Sequence, residues 1–291
     1  MELATHNDLP VSLVASWLDG CPSANTRKAY EFDYLELRTF IGADLLSLPA
    51  AEQQAAILRY IEDLAKRGKS PATTQRKLAS IKSLYSHLCE LDPRLPNIGR
   101  MIKTGRVRDL YNVRELKSRR HVKYLPREDL RQMFYFEDEP VRLVALKFLY
   151  YAALRVSELA TLRWGDLVQS DDGWSCQVYG KTGERFVPVP SSVVEEAIDL
   201  LGKGKADDLI IGVVPRTIGR WVERAAGRLG HKGVSPHWLR HSRANHLLNN
   251  GAGSLSIIEL RDFLGHGSVE TTNLYLHSTL SEDRQVTREE I

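Results

Sequence analysis

Residues 235–248 read SPHWLRHSRANHLL, and a helix would bring His237, Arg240 and His241 to one face. Ser235 is a natural N-cap and Pro236 a natural first helical residue, so His237 stands in the first turn and Arg240 one turn on. The His237/His241 spacing suits zinc. A metalloprotease helix, however, carries Glu after its first His, where this chain has Trp238, and Arg240 would hold a fixed positive charge against a dication. An anion gains from every group present: the helix N-terminal dipole, the free backbone N–H groups, an imidazole and a guanidinium fork. A merely solvated helix face could carry the same residues. His246, further along, is assigned to packing or to the solvent face.

Three other segments add reactive groups. ALRVSEL (153–159) sets Arg155 directly after an apolar helix, with Glu158 three residues on; the pair reads as a buried ion pair, or as a carboxylate that orients a working guanidinium, or both. GKTGERFVPVP places Lys181 at a tight hairpin tip, from which an ammonium can reach into a cleft, although most such lysines are simply solvated. LGHGSVETTNLYLH (264–277) puts His266 at a glycine-flanked helix junction and Tyr275 nine residues later; alone, such a tyrosine is ordinarily core or rim.

These segments must be positioned by elements that the apolar spacing predicts. The first hundred residues read as helix: 9–19, 25–42 with Tyr30, Tyr34, Leu37 and Ile41 on one face, 51–68, and 70–90. The last of these opens on Ser70-Pro71 and turns Leu78, Ile81, Leu84, Tyr85 and Leu88 inward, leaving Arg76, Lys77 and Lys82 on its polar side. Residues 100–123 lose the pattern and hold nine Lys+Arg against Asp109 and Glu115, which reads as a basic linker. Helix resumes at 125–134 and 140–154. Two β-type runs, 174–180 and 184–190, form a hairpin. Helices follow at 191–201, 215–229, 236–250, 255–264 and 268–277. The expected domains are a helical bundle over 1–99, the linker over 100–123, and a mixed, mostly helical domain with a small hairpin over 124–291.

The 291 residues suffice for two domains, each with its own core. Hydrophobic residues make up 43% and charged residues 26%, an ordinary globular balance. No uninterrupted apolar run reaches the roughly 18 to 20 residues of a membrane span. The richest stretch, 141–154, is broken by Arg142 and Lys147. Glu2 and Asp8 interrupt the basic-then-apolar order of a secretory leader, so none is expected. Cys21, Cys89 and Cys176 lie far apart with no CxxC pair, which points to reduced thiols and a cytoplasmic location. The net charge of +3 is unevenly placed: residues 1–123 hold 20 Lys+Arg against 14 Asp+Glu, net +6, and residues 124–291 hold 20 against 23, net −3. The N-terminal half is the one expected to face a polyanion.

Taken together, ALRVSEL, GKTGERFVPVP, HWLRHSRANHLL and LGHGSVETTNLYLH occur in the order and spacing of the tyrosine recombinase (phage integrase) family, which this chain resembles over about residues 10 to 280. NTRKAYEFDYLELRTF and SPATTQRKLASIKSLY resemble that family's SAM-like core-binding domain, and the whole is similar to its compact Xer, integron and phage-type members. The resemblance implies a mainly α fold. It implies that Arg155 and Arg240 clamp a phosphate, with Glu158 supporting the first arginine. His237 and His266 match the two histidine positions, Lys181 the general acid and Tyr275 the nucleophile. One departure is Ala153-Leu154, where a glycine often precedes the leucine.

The implied activity is site-specific DNA recombination: strands of double-stranded DNA are cleaved and rejoined through a 3′-phosphotyrosine, without metal, cofactor or ATP. The resemblance also implies a homo-tetramer on paired sites, formed from free monomers or dimers, and leaves open an accessory or partner recombinase; no membrane is involved. Arg76, Lys77, Lys82, Arg106, Arg108, Arg119 and Arg120 are the candidate DNA contacts. Two other functions compete with it: a type IB topoisomerase-like enzyme with the same covalent step but no pairing of sites, and a non-catalytic DNA-binding regulator that keeps the fold. The retention of Arg155, Lys181, His237, Arg240, His266 and Tyr275 argues against the regulator.

Overall fold

The computed structural model describes residues 9–103, 105–111, 123–180, 183–249, 254–265 and 272. They fall in two compact units, one within Met1–Arg120 and one within His121–Ile291. Among the described residues no helix is long and apolar enough to cross a membrane.

The first unit is helical: α1 (Leu9–Asp19), α2 (Ala24–Ile41), α3 (Ala50–Lys66), α4 (Pro71–Leu91) and the short α5 (Ile98–Met101) and α6 (Gly105–Leu110). Local chemistry sets the ends. The hydroxyls of Ser23 and Ser70 accept the N–H groups of Thr26 and Thr73, each at 3.1 Å, so each cap satisfies a donor that the helix itself cannot. Gly42, at φ 75°, closes α2 by returning its N–H to the Arg38 carbonyl. In α3, Ile57, Tyr60, Ile61 and Leu64 recur at helical spacing and are at most 1% exposed. They share one core with Tyr34 and Leu37 of α2 and with Leu78, Ile81, Leu84, Tyr85 and Leu88 of α4. Tyr30 and Ile41 pack against the edge of that core.

Two expectations change here. Lys77 does not stay on the polar side of α4: it is buried, and its ammonium donates to Asp33 Oδ1 at 2.8 Å and to Glu36 Oε2 at 2.6 Å. Asp33 is itself buried and also receives both terminal nitrogens of the half-exposed Arg76. A buried ammonium needs such partners, and Asp33 sits on α2, beyond what the spacing within α4 can reveal. Nor is the whole of 100–123 a linker. Ile102 and Val107 are buried in the core of the first unit, and Tyr111 packs on it, its hydroxyl 2.7 Å from that of Thr74. These apolar anchors stand singly among basic residues, so they leave no helical stripe.

The second unit contains α7 (Arg127–Tyr135), α8 (Pro140–Tyr151), α9 (Val156–Thr161), the antiparallel sheet β1 (Leu167–Ser170), β2 (Gly173–Gly180) and β3 (Gly183–Val189), and then α10 (Ser191–Leu201), α11 (Pro215–Arg228), α12 (Pro236–Leu248) and α13 (Ile257–Leu264). Phe148 and Leu149 of α8 share a core with Val194 and Ala197 of α10, Val222 of α11 and Leu239 of α12. The hairpin register pairs Cys176 with Val187 and Gly180 with Gly183. Cys176, Val178, Val187 and Val189 form its buried face. Strand β1 escapes sequence reading because only Leu167 of its four residues is even half-buried, so no alternation marks it.

Helix α8 ends at Tyr151, short of the expected 154. Ala153 then takes a left-handed conformation, φ 47°, the only such non-glycine among the described residues. That is the position at which the resemblance expects glycine, and the turn is costly for a residue with a Cβ.

Candidate active site

Arg155 occupies the N-cap position of α9, and Glu158 is the third residue of that helix. The Arg155 N–H donates to Glu158 Oε2 at 2.8 Å, and Arg155 Nη1 donates to Oε1, also at 2.8 Å. The carboxylate thus fixes both the backbone and the side chain of one arginine. Arg155 Nη2 reaches across to the Gly265 carbonyl, just past the end of α13, at 3.1 Å. Its side chain remains 31% exposed.

Arg240, one turn into α12, is 3% exposed. Its Nη1 donates to the carbonyl of Ala153 and its Nη2 to the carbonyl of Leu264. The strained turn at Ala153 is what aims that carbonyl at the guanidinium. Both arginines are therefore fastened to consecutive carbonyls, 264 and 265.

His237 stands at the start of the same helix and is exposed. Partial desolvation, then the positive fields of Arg240 and Arg155, lower its pKa below the ordinary imidazole value. Near neutral pH it is an uncharged ring with one N–H donor. The His241 ring lies 6.3 Å from that of His237, centroid to centroid, and burial with the nearby His237 and Arg240 brings its pKa to about 4. His246 packs: it is buried, with Nδ1 2.9 Å from the Tyr150 hydroxyl.

One residue of the cluster was not singled out from sequence. Arg185 of β3 donates Nη1 to Glu158 Oε1 at 2.8 Å and Nη2 to Oε2 at 2.9 Å. The signal was available in ERFVPVP: Arg185, Val187 and Val189 alternate, so the period-2 rule turns Arg185 to the buried side along with the valines. Burial alone would push the Glu158 pKa up, but the hydrogen bonds and charges of Arg185 and Arg155 bring it down to about 2.

Arg155, Glu158, His237 and Arg240 are thus brought together. Lys181, His266 and Tyr275 lie outside the described residues, as do Arg119 and Arg120. Among the candidate DNA contacts, Lys82 is half-buried on α4, and Arg106 and Arg108 belong to α6. Among the described residues no three His, Cys, Asp or Glu side chains are grouped as metal ligands would be. The described cluster carries three guanidinium charges against one carboxylate, and such an arrangement receives an anion.

Sequence comparison decides the family. The profile of the Phage integrase family matches residues 123–282, and that of the Phage integrase, N-terminal SAM-like domain matches residues 17–90. The chain belongs to the phage integrase family, the tyrosine recombinases. It is 30% identical over 275 residues to a tyrosine recombinase of Thermosipho africanus, across 88% of this chain and 89% of that protein. It is 31% identical over 278 residues to tyrosine recombinase XerC of Pelobacter propionicus, across 91% of this chain and 88% of that protein. Among solved structures, XerH site-specific recombinase bound to palindromic difH substrate in a post-cleavage complex superposes with a TM-score of 0.67. That match is 19% identical and covers 91% of this chain and 79% of the other; at that identity the likeness is one of fold. This phage integrase is a tyrosine-type site-specific recombinase.

Proposed function

We propose that the chain cleaves one strand of duplex DNA at a specific site by attack of the Tyr275 hydroxyl on a phosphodiester, and then reverses the step onto a new partner strand. In the forward step the tyrosine oxygen–phosphorus bond forms and the bond to the 5′ oxygen breaks, leaving a 3′-phosphotyrosine. The Tyr275 O–H proton passes to solvent water as that bond forms, and the leaving oxygen takes a proton from Lys181. Arg155 and Arg240 stabilise the charge that builds on the phosphate oxygens, helped by N–H groups from His237 and His266. Because the phosphotyrosine ester keeps the energy of the broken bond, rejoining needs no ATP. The guanidinium groups supply the positive charge that a metal would otherwise bring. The observation that carries the reading is the attachment of Arg155 and Arg240 to consecutive carbonyls, which holds two forked cations beside each other.

Residues 1–99 and 124–291 act in this reading as two DNA-binding domains. Arg76, Lys82, Arg106, Arg108, Arg119 and Arg120 serve as phosphate contacts, and Lys77 serves as the buried partner of Asp33. Exchange takes place in a tetramer on paired sites, in the cytoplasm.

The test is covalent attachment. The full chain is incubated in EDTA with a nicked duplex carrying a sequence selected from a random library by binding, and the mixture is run on a denaturing gel. A protein–DNA adduct is expected from the unsubstituted chain and none from Tyr275→Phe, with binding near normal. An adduct that persists in Tyr275→Phe, or one that strictly requires an added metal, defeats the reading.

A further inference from the structure

Glu158 is an unusually crowded carboxylate. Its two oxygens accept four N–H groups: Oε1 from Nη1 of Arg155 and Nη1 of Arg185, Oε2 from the Arg155 backbone and Nη2 of Arg185. Four acceptor positions are about all that a carboxylate offers. One anion is therefore divided between two cations, and only one of these, Arg155, belongs to the phosphate clamp.

We propose that Arg185 is a positioning residue for strand cleavage, acting on Arg155 through the Glu158 carboxylate that the two arginines share. This rests on the recombinase reading above. The reasoning is electrostatic as well as geometric. With Arg155 alone, Glu158 would cancel the guanidinium charge that a phosphate is meant to feel. Arg185 offsets the carboxylate, so that Arg155 is held in place by Glu158 yet keeps its positive field. The bidentate fork also fixes the carboxylate plane, and with it the direction of Arg155 Nη1.

Arg185 is well placed to do this. Its side chain is 12% exposed and lies directly under Gly265, the residue whose carbonyl receives Arg155 Nη2. A Cβ built on Gly265 would come within 2.6 Å of Arg185 Cδ. Arg185 thus touches both anchors of Arg155, the carboxylate and the residue bearing the carbonyl. It also stands on β3, four residues after Lys181 in the sequence, and its side chain ties that strand to the clamp.

The experiment measures single-turnover adduct formation and DNA affinity for the full chain on the selected nicked duplex, with thermal melting as a check on folding. Arg185→Gln is expected to slow adduct formation by about 10- to 100-fold, less than the roughly 100- to 1,000-fold that loss of a direct transition-state donor costs. DNA affinity should stay within about 3-fold, because affinity is set by contacts to many phosphates. Arg185→Lys keeps the charge but not the fork, and should fall between, about 3- to 10-fold below the unsubstituted rate. In a Glu158→Gln background, which has no carboxylate to offset, Arg185→Gln should cost far less than it does alone.

No adduct from the unsubstituted chain sinks the recombinase reading and this inference with it. An unsubstituted chain that forms adduct, with Arg185→Gln doing so at the same rate, overturns this inference alone. So does an equal cost of Arg185→Gln in both backgrounds. If Arg185→Gln loses its cooperative melting, an unsubstituted rate in Arg185→Lys is the overturning result.

Discussion

Arg155 and Arg240 donate to neighbouring carbonyls, Arg155 Nη2 to Gly265 at 3.1 Å and Arg240 Nη2 to Leu264. The two residues come from different helix starts, α9 and α12, and the end of α13 is the rail on which both are set. His266, the next residue in the chain, is a proposed phosphate donor. The same short piece of backbone thereby holds both arginines.

The two arginines should nevertheless respond differently to removal. Arg240 is 3% exposed and satisfies two carbonyls, so Arg240→Ala leaves both without that partner and is expected to destabilise the fold by about 2–4 kcal/mol. Arg155 is partly exposed, and Glu158 keeps Arg185 when Arg155 is lost, so Arg155→Ala should cost about 1 kcal/mol. Adduct formation should fall by roughly 100- to 1,000-fold in either variant. Chemical denaturation of both variants beside the unsubstituted chain measures the difference. Equal losses of stability would mean that Arg240 is not the buried anchor described.

The parts of this site that were legible in the sequence are those whose signals are local. Ser70-Pro71 and Ser235-Pro236 mark helix starts, and α3 and α4 show their apolar stripes outright. Arg155 and Glu158 are three residues apart at a helix start, so their pairing is readable without a structure. The ion pairs of Lys77 and Arg185 are not legible in the sequence because their partners are remote: Asp33 lies 44 residues before Lys77, and Glu158 lies 27 before Arg185. Charged side chains usually seek solvent, and nothing local to α4 or β3 says that an acidic partner waits inside. The end of α8 was missed for a related reason. Apolar spacing continues through Ala152-Ala153-Leu154, while the chain turns left-handed at Ala153 and its carbonyl meets Arg240, far along the chain.

Acid should weaken the fold in a defined window. His246 packs against Tyr150, with Arg127 and Arg243 nearby, and His241 faces His237 and Arg240; both imidazoles are brought from 6.5 to about 4. These are folded-state values below the unfolded ones, so between about pH 6.5 and 4 the unfolded chain binds protons that the native chain refuses. Stability is then full above that range and declines as pH falls through it. Below about 4.5 Glu158 adds a second loss, because its carboxylate is held at about 2 in the fold. Melting temperatures at pH 7.5, 6 and 5 should drop in order, and His246→Gln should flatten part of the slope. Constant melting temperatures over that range would contradict the buried, neutral histidines.

A basic stretch lies near the boundary, along the sequence, of the two units. Arg106 and Arg108 sit on α6, whose Val107 is buried in the first core, so these two cations are carried by a packed element of that unit. Arg119 and Arg120 belong to the same run of charge, within the half that holds 20 Lys+Arg against 14 Asp+Glu. Each phosphate contact releases counterions and adds close to one unit to the slope of log affinity against log salt. Changing all four to Gln in the full chain should therefore flatten that slope by roughly two to four units. The ranking of selected over unrelated sequences should hardly change, because phosphate contacts position a protein on DNA without reading its bases. Because Val107 is kept, the melting temperature should stay close to that of the unsubstituted chain. A salt titration of affinity for the selected duplex and for an unrelated one decides the matter. An unchanged slope would remove these arginines from the interface, and a collapse of preference at constant slope would make them base readers instead.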